Sequence, residues 1–257
     1  MLKKILSTMV LATSLALASD TFLHQFFNDK VCDQVLENDG YFKTCYDYKV
    51  KGAKYVAYTI DGSLANKGNI DERPRFYPDK NIPNQYSSEH SDYIRNRYGM
   101  DRGHMAEDAS FDYSQRSLNA VYVMSNIIPQ HSTVNRDKKA WAGVERFGRA
   151  IATKMGKVDV LNGVIYSNSP KRIGHNQIAV PDAFWKMYYN QEQKYQRCFY
   201  FENKPVLSFC KIHDIKIIAE YVEDESIYNK VCELDIEFSQ GFYIGKPSEN
   251  LLREILN

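Results

Sequence analysis

The stretch NRYGMDRGHMAEDAS, residues 96–110, places Asp101, Arg102, Gly103 and His104 in four consecutive positions. A single histidine after a glycine is usually a turn or surface residue. An imidazole also has an ordinary pKa of about 6.5 and exchanges a proton near neutral pH, as a catalytic base must. The neighbouring sequence is therefore needed to decide whether His104 is a reagent.

Residues 118–130, LNAVYVMSNIIPQ, follow the histidine and predict a strand that is interrupted by Pro129. Asn126 and Gln130 are polar residues in this otherwise apolar run. They are candidates for a site at the end of the strand, although an asparagine there is also an ordinary turn residue.

Residues 135–156 predict an amphipathic helix that stops at Gly156. Asn135 stands at its start, in a position typical of helix N-caps. Glu145 and Arg149 are four residues apart and share one face, so Arg149 is either a substrate contact or the ion-pair partner of Glu145. The apolar face consists of Trp141, Val144, Phe147 and Ile151.

Residues 55–66, YVAYTIDGSLAN, precede the histidine and predict a strand that ends at Asp61. Residues 68–97 are rich in Asn, Asp, Pro and Tyr, and predict a long surface loop with at most a short helix. Loops of this length are uncommon in compact domains unless they are functional. This loop carries Arg73 and Arg75.

The second half of the chain predicts more strands than helices. Residues 157–166 and 178–189 predict strands, the second interrupted by Pro181. The remaining predicted elements are β or mixed segments over 204–213 and 215–224 and a closing helix over 247–257. Because strands and helices do not alternate regularly, the sequence favours an α+β fold with a central, mostly antiparallel sheet and flanking helices.

The first 18 residues differ from the rest of the chain. They begin with two lysines, continue as an apolar run and end in Ala16-Leu17-Ala18, the small-x-small form of a processing site. We expect a secretory signal peptide over residues 1–18, with a signal anchor as the alternative. Residues 19–257 are then expected to form a single domain, with its core over about 55–190, in the periplasm or outside the cell and without membrane association.

The overall charge is balanced. The chain has 33 Lys and Arg against 32 Asp and Glu, and loss of Lys3 and Lys4 with a signal peptide would leave 31 basic side chains. A polyanionic partner must therefore be met by a local basic site or a metal ion rather than by a global positive field.

Five cysteines lie beyond the signal sequence: Cys32, Cys45, Cys198, Cys210 and Cys232. Export implies an oxidising compartment, in which disulfides are expected. Cys32 and Cys45 are the favoured pair because they are close in sequence. Two of the other three would form a second bridge, and the full connectivity stays open. No cysteine or histidine spacing is typical of a zinc site.

The polar residues between positions 70 and 150 exclude several classes of hydrolase. This segment contains no G-x-S-x-G nucleophile motif and no paired acidic motif for two metals. An imidazole, side-chain amides, a carboxylate and several guanidiniums remain. The set suits phosphodiester hydrolysis with one hard cation, because histidine deprotonates water, arginine and Mg²⁺ neutralise phosphate charge, and Mg²⁺ needs few protein ligands.

DRGH at 101–104, SNIIPQ at 125–130, Asn135 and WAGVE at 141–145 follow one another as in a known family. Together they resemble the DNA/RNA non-specific endonucleases of the ββα-metal superfamily, which are related to mitochondrial endonuclease G. The resemblance spans roughly residues 55–186, including VPDAFWK. It implies a ββα-metal finger within the α+β fold and cleavage of DNA and RNA with little sequence preference. It also implies a Mg²⁺ cofactor, with Mn²⁺ as a substitute.

The resemblance further implies roles for individual residues. His104 is the general base, Asn135 ligates Mg²⁺, and Glu145 orders metal-bound water. Asn126 orients His104 or a phosphate. One spacing departs from the family, in which a tryptophan follows the metal-ligating asparagine by four residues. Trp141 follows by six, which indicates a two-residue insertion that would re-aim Glu145.

The same resemblance assigns arginines to the substrate. Arg102 and Arg149 are expected to contact the phosphate backbone, and one arginine of the preceding loop to stabilise the transition state. Arg73 is favoured for that role over Arg75.

Two rival functions remain at this point. One is a nucleic-acid-binding protein that uses the same scaffold without turnover, and the other is a ββα-metal nuclease specific for sequence or structure. Monomeric and homodimeric states are both compatible with the sequence, as is the presence or absence of an inhibitor protein.

Overall fold

The computed structural model describes residues 26–65, 67–136 and 140–204, with isolated positions at 218–219, 225 and 238–239. The chain divides into two compact units, Met1–Asn203 and Lys204–Asn257. In the second unit, Ile218–Ala219 (β11) pairs in parallel with Phe238–Ser239 (β12). The predicted signal peptide and closing helix, and most of the elements predicted over 204–224, lie outside the described residues. The single domain over 19–257 stays a prediction.

The first unit is built on a six-stranded sheet in the order β1-β2-β3-β6-β9-β10. Every neighbouring pair in it is antiparallel. The strands are Gln34–Leu36 (β1), Phe42–Asp47 (β2), Gly52–Asp61 (β3), Lys157–Ile165 (β6), Ala183–Asn190 (β9) and Tyr195–Glu202 (β10). Strands are thus confirmed in the segments 55–66, 157–166 and 178–189, although their bounds differ from the predicted ones.

Successive residues of β9 face opposite sides of this sheet, as the period of a strand requires. Tyr188 donates a hydrogen bond of 2.8 Å to the carbonyl oxygen of Val144, so that side of β9 packs against the helix Ala140–Met155. Trp185 and Met187 pack on the other side, against a cluster that includes Phe27. The two faces of the sheet therefore have separate coverings.

A two-stranded ladder of Met100–His104 (β4) and Ile127–His131 (β5) carries the DRGH motif. His104 pairs with Ile127 and Arg102 with Pro129. Pro129 lies inside β5 and does not break it, because both strands of an isolated pair are edges, where a residue without an N–H is tolerated.

The strand predicted over 118–130 is wrong in its first half. Gln115–Val121 is a helix (α1), and the Ser114 side chain accepts a hydrogen bond from the backbone N–H of Ser117 at its start. A short apolar run fits a buried helix as well as a strand, and here the N-cap favours the helix.

The helix predicted from Asn135 begins elsewhere. Ser132–Asn135 forms one turn (α2), and Ala140–Met155 forms the long helix (α3). Asn135 therefore ends α2 and is not the N-cap of a continuous helix. The predicted stop is confirmed, since Gly156 has a φ of +87°, in the left-handed region that glycine adopts readily.

The remaining described elements are short. Arg172–Ile173 (β7) pairs with Ile178–Ala179 (β8), and the long loop after β3 contains 3₁₀ turns at Asn84–Tyr86 and His90–Tyr93. Among the described residues, none of the helices combines the length and the apolar character needed to span a bilayer.

The predicted disulfide between Cys32 and Cys45 is present, with Cα atoms 5.0 Å apart. It ties the segment before β1 to the centre of β2. Cys198 is exposed on β10. Cys210 and Cys232 lie outside the described residues, so a second bridge stays a prediction.

Candidate active site

His104 is the last residue of β4, and its ring contacts two aromatic side chains that also contact each other. The ring centroids of Tyr122 and Phe76 are 4.8 Å and 5.5 Å away. Burial lowers the pKa of His104 to about 4; the charge of Asp108 opposes this effect, while Arg73 and the neighbouring Arg102 add to it. The imidazole is therefore neutral at pH 7, the state that a general base requires.

The glycine before His104 is explained by Gln130 on the paired strand. A Cβ atom at position 103 would lie 2.7 Å from the Cβ of Gln130 and would also overlap its side-chain amide. Within the part of the chain that the structure describes, neither polar atom of that amide has a hydrogen-bond partner. Gly103 thus lets the Gln130 side chain cross the strand directly before the histidine.

Two buried asparagines hold the backbone that follows His104. The Asn126 Oδ1 accepts from the N–H of Ala106 at 2.7 Å, and its Nδ2 donates to the carbonyl oxygens of Ala106 and Val121. The Nδ2 of Asn162, on β6, donates to the carbonyl oxygen of Met105 at 2.6 Å.

The side-chain amide of Asn126 bonds to backbone groups. The side chain is completely buried. The role of Asn126 in orienting His104 or a phosphate stays a prediction.

A chain of alternating charges lies beneath this segment. Glu107 is fully buried and accepts from Arg149 at 3.2 Å. The other Glu107 oxygen lies 3.4 Å from the Nζ of Lys186, and the same Nζ lies 3.7 Å from Glu145. The ion-pair partner of Arg149 is therefore Glu107 and not, as the helical spacing suggested, Glu145.

Glu145 remains 19% exposed at the end of this chain. Burial raises its pKa to about 7; Lys186 and Arg149 work against this shift, and Glu107 and Asp108 work with it. A carboxyl group with this pKa changes charge near neutral pH.

Arg73 and Arg75 are placed differently. Arg73 Nη2 lies 2.9 Å from Asp108 and 3.2 Å from Asp112, and its charge acts on His104. Arg75 is exposed and forms no ion pair with any other described residue. Arg102 places its guanidinium 5.1 Å from the ring centroid of Phe76. Arg73 and Arg102 therefore contact residues next to His104, namely Asp108 and Phe76.

Asn135 ends α2, which packs against β4, β5 and α3. Its side chain is partly exposed and makes no hydrogen bond to another described residue, so its amide oxygen is available as a ligand. The described residues contain no group of three His, Cys, Asp or Glu side chains placed to hold a metal. A single amide ligand fits Mg²⁺, which keeps most of its waters. Among the described residues, no hydrogen bond or ion pair joins Asn135 to His104 or Glu145.

A model of the DNA/RNA non-specific endonuclease family matches residues 19–234. The chain belongs to this family. It is 27% identical over 216 residues to Nuclease 1, mitochondrial, of Schizosaccharomyces pombe. The aligned region covers 76% of this chain and 65% of that protein. It is 31% identical over 159 residues to Endonuclease G, mitochondrial, of Caenorhabditis elegans, which covers 57% of this chain and 50% of that protein. The chain thus spans about half to two thirds of these relatives.

Among solved structures, the crystal structure of an EndoG/EndoGI complex is similar. The likeness has a TM-score of 0.57 at 23% identity and covers 64% of this chain and 72% of that chain. This shows the fold. With the antiparallel sheet and the order β4, β5, helix, it confirms the α+β class with a ββα-metal motif that the resemblance to the DNA/RNA non-specific endonucleases implied.

Several residues around this DNA/RNA non-specific endonuclease motif escaped the sequence analysis. The Tyr122 hydroxyl donates to Asp108, and Asp108 also pairs with Arg73, so the aspartate links a ring that contacts His104 to an arginine whose charge acts on it. Lys186 had one available signal, since it is a lysine on an otherwise apolar strand. Asn162 had none, because an isolated asparagine in a strand is compatible with many local roles.

A cavity of about 400 Å³ lies elsewhere, between the β2–β3 turn and the end of β6. His104, the aromatic and charged residues that act on it, and Glu145 are not among its lining residues. Two of its basic side chains are already engaged: Lys54 pairs with Asp47 at 3.0 Å, and Arg172 donates to two backbone carbonyl groups. The chemistry of the family motif therefore lies outside this cavity.

Proposed function

We propose that the protein is a divalent-metal-dependent endonuclease that hydrolyses phosphodiester bonds of DNA and RNA with little sequence preference. The observation that carries this proposal is the position of His104 at the end of β4 in a ββα arrangement, in a chain of the DNA/RNA non-specific endonuclease family. The charges of Arg73, Arg102 and Asp108 act on His104.

His104 accepts the proton of the attacking water. Its Nε2 is buried and has no hydrogen-bond partner among the described residues, so we assign proton transfer to Nδ1. The rings of Phe76 and Tyr122 restrict the tilt of the imidazole. The bonds from Asn126 and Asn162 hold the following backbone, which keeps the base in one place.

Asn135 would hold the cation through its amide oxygen, with Mg²⁺ as the expected ion and Mn²⁺ as a substitute. When bound, the cation neutralises charge on the phosphate and on the departing oxygen. The exposed edge of Glu145 accepts hydrogen bonds from water at the site.

Arginines provide the contacts to substrate. Arg73 stabilises the charge that develops on the phosphate, while Arg102 and Arg149 contact the backbone of the nucleic acid. Contacts to phosphate and sugar do not identify the base, which supports weak sequence discrimination. Hydrolysis leaves a 5′-phosphate and a 3′-hydroxyl.

We also propose that the protein is exported, to the periplasm or beyond. The composition of residues 1–18 supports a signal peptide, and the Cys32–Cys45 bond suits an oxidising compartment. The relatives named above are called mitochondrial, so location needs its own measurement. Fractionation of cells that express the full chain, with sequencing of the N-terminus, tests it, and an uncleaved N-terminus in the cytoplasm would overturn it.

The activity is tested by incubating purified protein with supercoiled plasmid or with RNA across a series of Mg²⁺, Mn²⁺ and Ca²⁺ concentrations, with EDTA as the control. We expect a smear of fragments from both substrates and no cleavage in EDTA. A His104→Ala variant should lose cleavage by about 10²–10⁴-fold while it keeps its circular dichroism spectrum. Binding without cleavage in every metal would favour the non-catalytic rival, and discrete fragments would favour a specific nuclease.

A further inference from the structure

We infer that Lys186 is a positioning residue that holds Glu145 in place for the reaction. This inference rests on the proposed nuclease function. Lys186 touches neither His104 nor Asn135, and its effect on cleavage would pass through the Glu145 carboxylate.

The surroundings of Lys186 are the first support. Its side chain is fully buried on β9. The Nζ lies 3.4 Å from Glu107, 3.7 Å from Glu145 and 3.4 Å from the hydroxyl of Tyr58. It also lies 4.5 Å from the ring centroid of Trp141. Lysines are almost never buried in this way unless they are paired, so the two carboxylates account for its presence.

The second support is that these groups lie on different elements of the fold. Glu107 follows His104 by three residues, Glu145 lies on α3, and Lys186 lies on the sheet beneath both. The ammonium therefore links Glu107, near the end of the DRGH strand, to Glu145 on α3. Arg149 completes the chain by pairing with the second oxygen of Glu107.

The contact with Lys186 also distinguishes the two carboxylate oxygens of Glu145. Oε1 lies next to Lys186, which leaves Oε2 as the oxygen that can turn toward water at the site. Without Lys186, the carboxylates of Glu107 and Glu145 would lose the ammonium group that contacts both of them. The Glu145 side chain would then turn away or take up a proton. The charged or titratable groups that act on Glu145 are Lys186, Glu107, Arg149, Asp108, Tyr58 and Tyr188.

The test uses Lys186→Met, which keeps the length of the side chain and removes its charge. We expect kcat for plasmid cleavage to fall by about 100-fold with KM little changed, because the substrate contacts remain and one reacting group is misplaced. The acidic limb of the pH–rate profile should move to higher pH. Lys194→Met, on the exposed β9–β10 turn, is the matched control and should retain wild-type kinetics.

A double-mutant cycle separates positioning from a general structural role. In a Glu145→Gln background, Lys186→Met should lower kcat little further, since Lys186 acts through the carboxylate that is already gone. Full additivity of the two losses would overturn the inference. Wild-type kcat in Lys186→Met alone would also overturn it.

A second readout does not depend on activity. Urea unfolding of the same four metal-free proteins should show non-additive midpoints, because the two side chains are in contact. If Lys186→Met does not fold, Glu107→Gln/Lys186→Met removes opposite charges together and should show the same loss of kcat. Wild-type protein that never cleaves would refute the proposed function, whereas additive midpoints would refute the Lys186–Glu145 coupling itself.

Discussion

The side-chain amide of Asn162 donates a hydrogen bond of 2.6 Å to the carbonyl oxygen of Met105, the residue that follows His104. The two residues are 57 positions apart in the sequence, and both are completely buried. A strand of the central sheet thus holds the end of the DRGH strand directly.

Replacement of Asn162 should therefore affect both stability and catalysis. Asn162→Ala leaves a buried carbonyl group without a partner, and we expect unfolding free energy to fall by about 1–3 kcal/mol. Because the base is then less well held, kcat should fall by about tenfold to 100-fold. Urea unfolding and plasmid cleavage measure the two effects. Asn168→Ala, at an exposed position just beyond β6, is the control; equal behaviour of the two variants would contradict the argument.

Gly103 and Gly143 should respond to alanine with opposite signs. Gly103→Ala forces a Cβ atom against Gln130, so we expect a loss of about 1–3 kcal/mol in unfolding free energy. Gly143 lies in α3, where an added Cβ atom would meet nothing within 4 Å, and Gly143→Ala should gain about 0.5–1 kcal/mol through helix propensity. Thermal unfolding checks the signs, and a stabilised Gly103→Ala protein would show that Gln130 moves aside freely.

Arg73 and Arg75 should separate in kinetic behaviour. Arg73 pairs with Asp108 beside His104, so Arg73→Ala should lower kcat by about 100-fold, as expected when a transition-state donor is removed. Arg75→Ala should raise KM and weaken its salt dependence while kcat stays unchanged, since an exposed arginine supplies a phosphate contact only. Steady-state cleavage at several salt concentrations distinguishes them, and the reverse pattern would move the transition-state role to Arg75.

The buried imidazole should make stability depend on pH. The pKa of His104 drops from the ordinary 6.5 to about 4 on folding, so the unfolded chain binds more protons between these values. Unfolding free energy contributed by neutral His104 should thus be present above pH 6.5 and be lost as the pH falls toward 4. Glu145 acts with the opposite sign, because its pKa rises from 4.5 to about 7 and its contribution is lost as the pH rises through that range.

Urea unfolding from pH 4 to pH 8 checks this dependence in His104→Asn. The variant should show a flatter curve below pH 6.5 than the wild type. His175→Asn, with an exposed ring, provides the comparison. An unchanged curve in His104→Asn would mean that the imidazole is not titrating as a buried group.

Local signals explain which elements were predictable. The strand that ends at Asp61 and the helix that stops at Gly156 follow from alternation, helical spacing and a glycine with positive φ. The segment 118–121 was misassigned because a short apolar run has no period of its own, and the Ser114 cap decides it. The start of α3 was misplaced because α2 intervenes, with His131 as its N-cap.

The sequence by itself determined the family motif: the order of DRGH, Asn126, Asn135 and Glu145, together with the pairing of two nearby cysteines. These features depend on residue identity and short spacings, which a chain carries into any conformation. Tertiary structure alone decided that Asn126 is buried and bonds to the backbone, that Arg149 pairs with Glu107, and that burial lowers the pKa of His104.

Tertiary structure also decided the place of Lys186, whose contact with Glu107 joins residues 79 positions apart. Burial and charge pairing depend on which distant strands meet. Local sequence patterns do not predict which distant strands pack together. The shifted pKa values and the charge chain beneath the motif are therefore visible only in the assembled sheet.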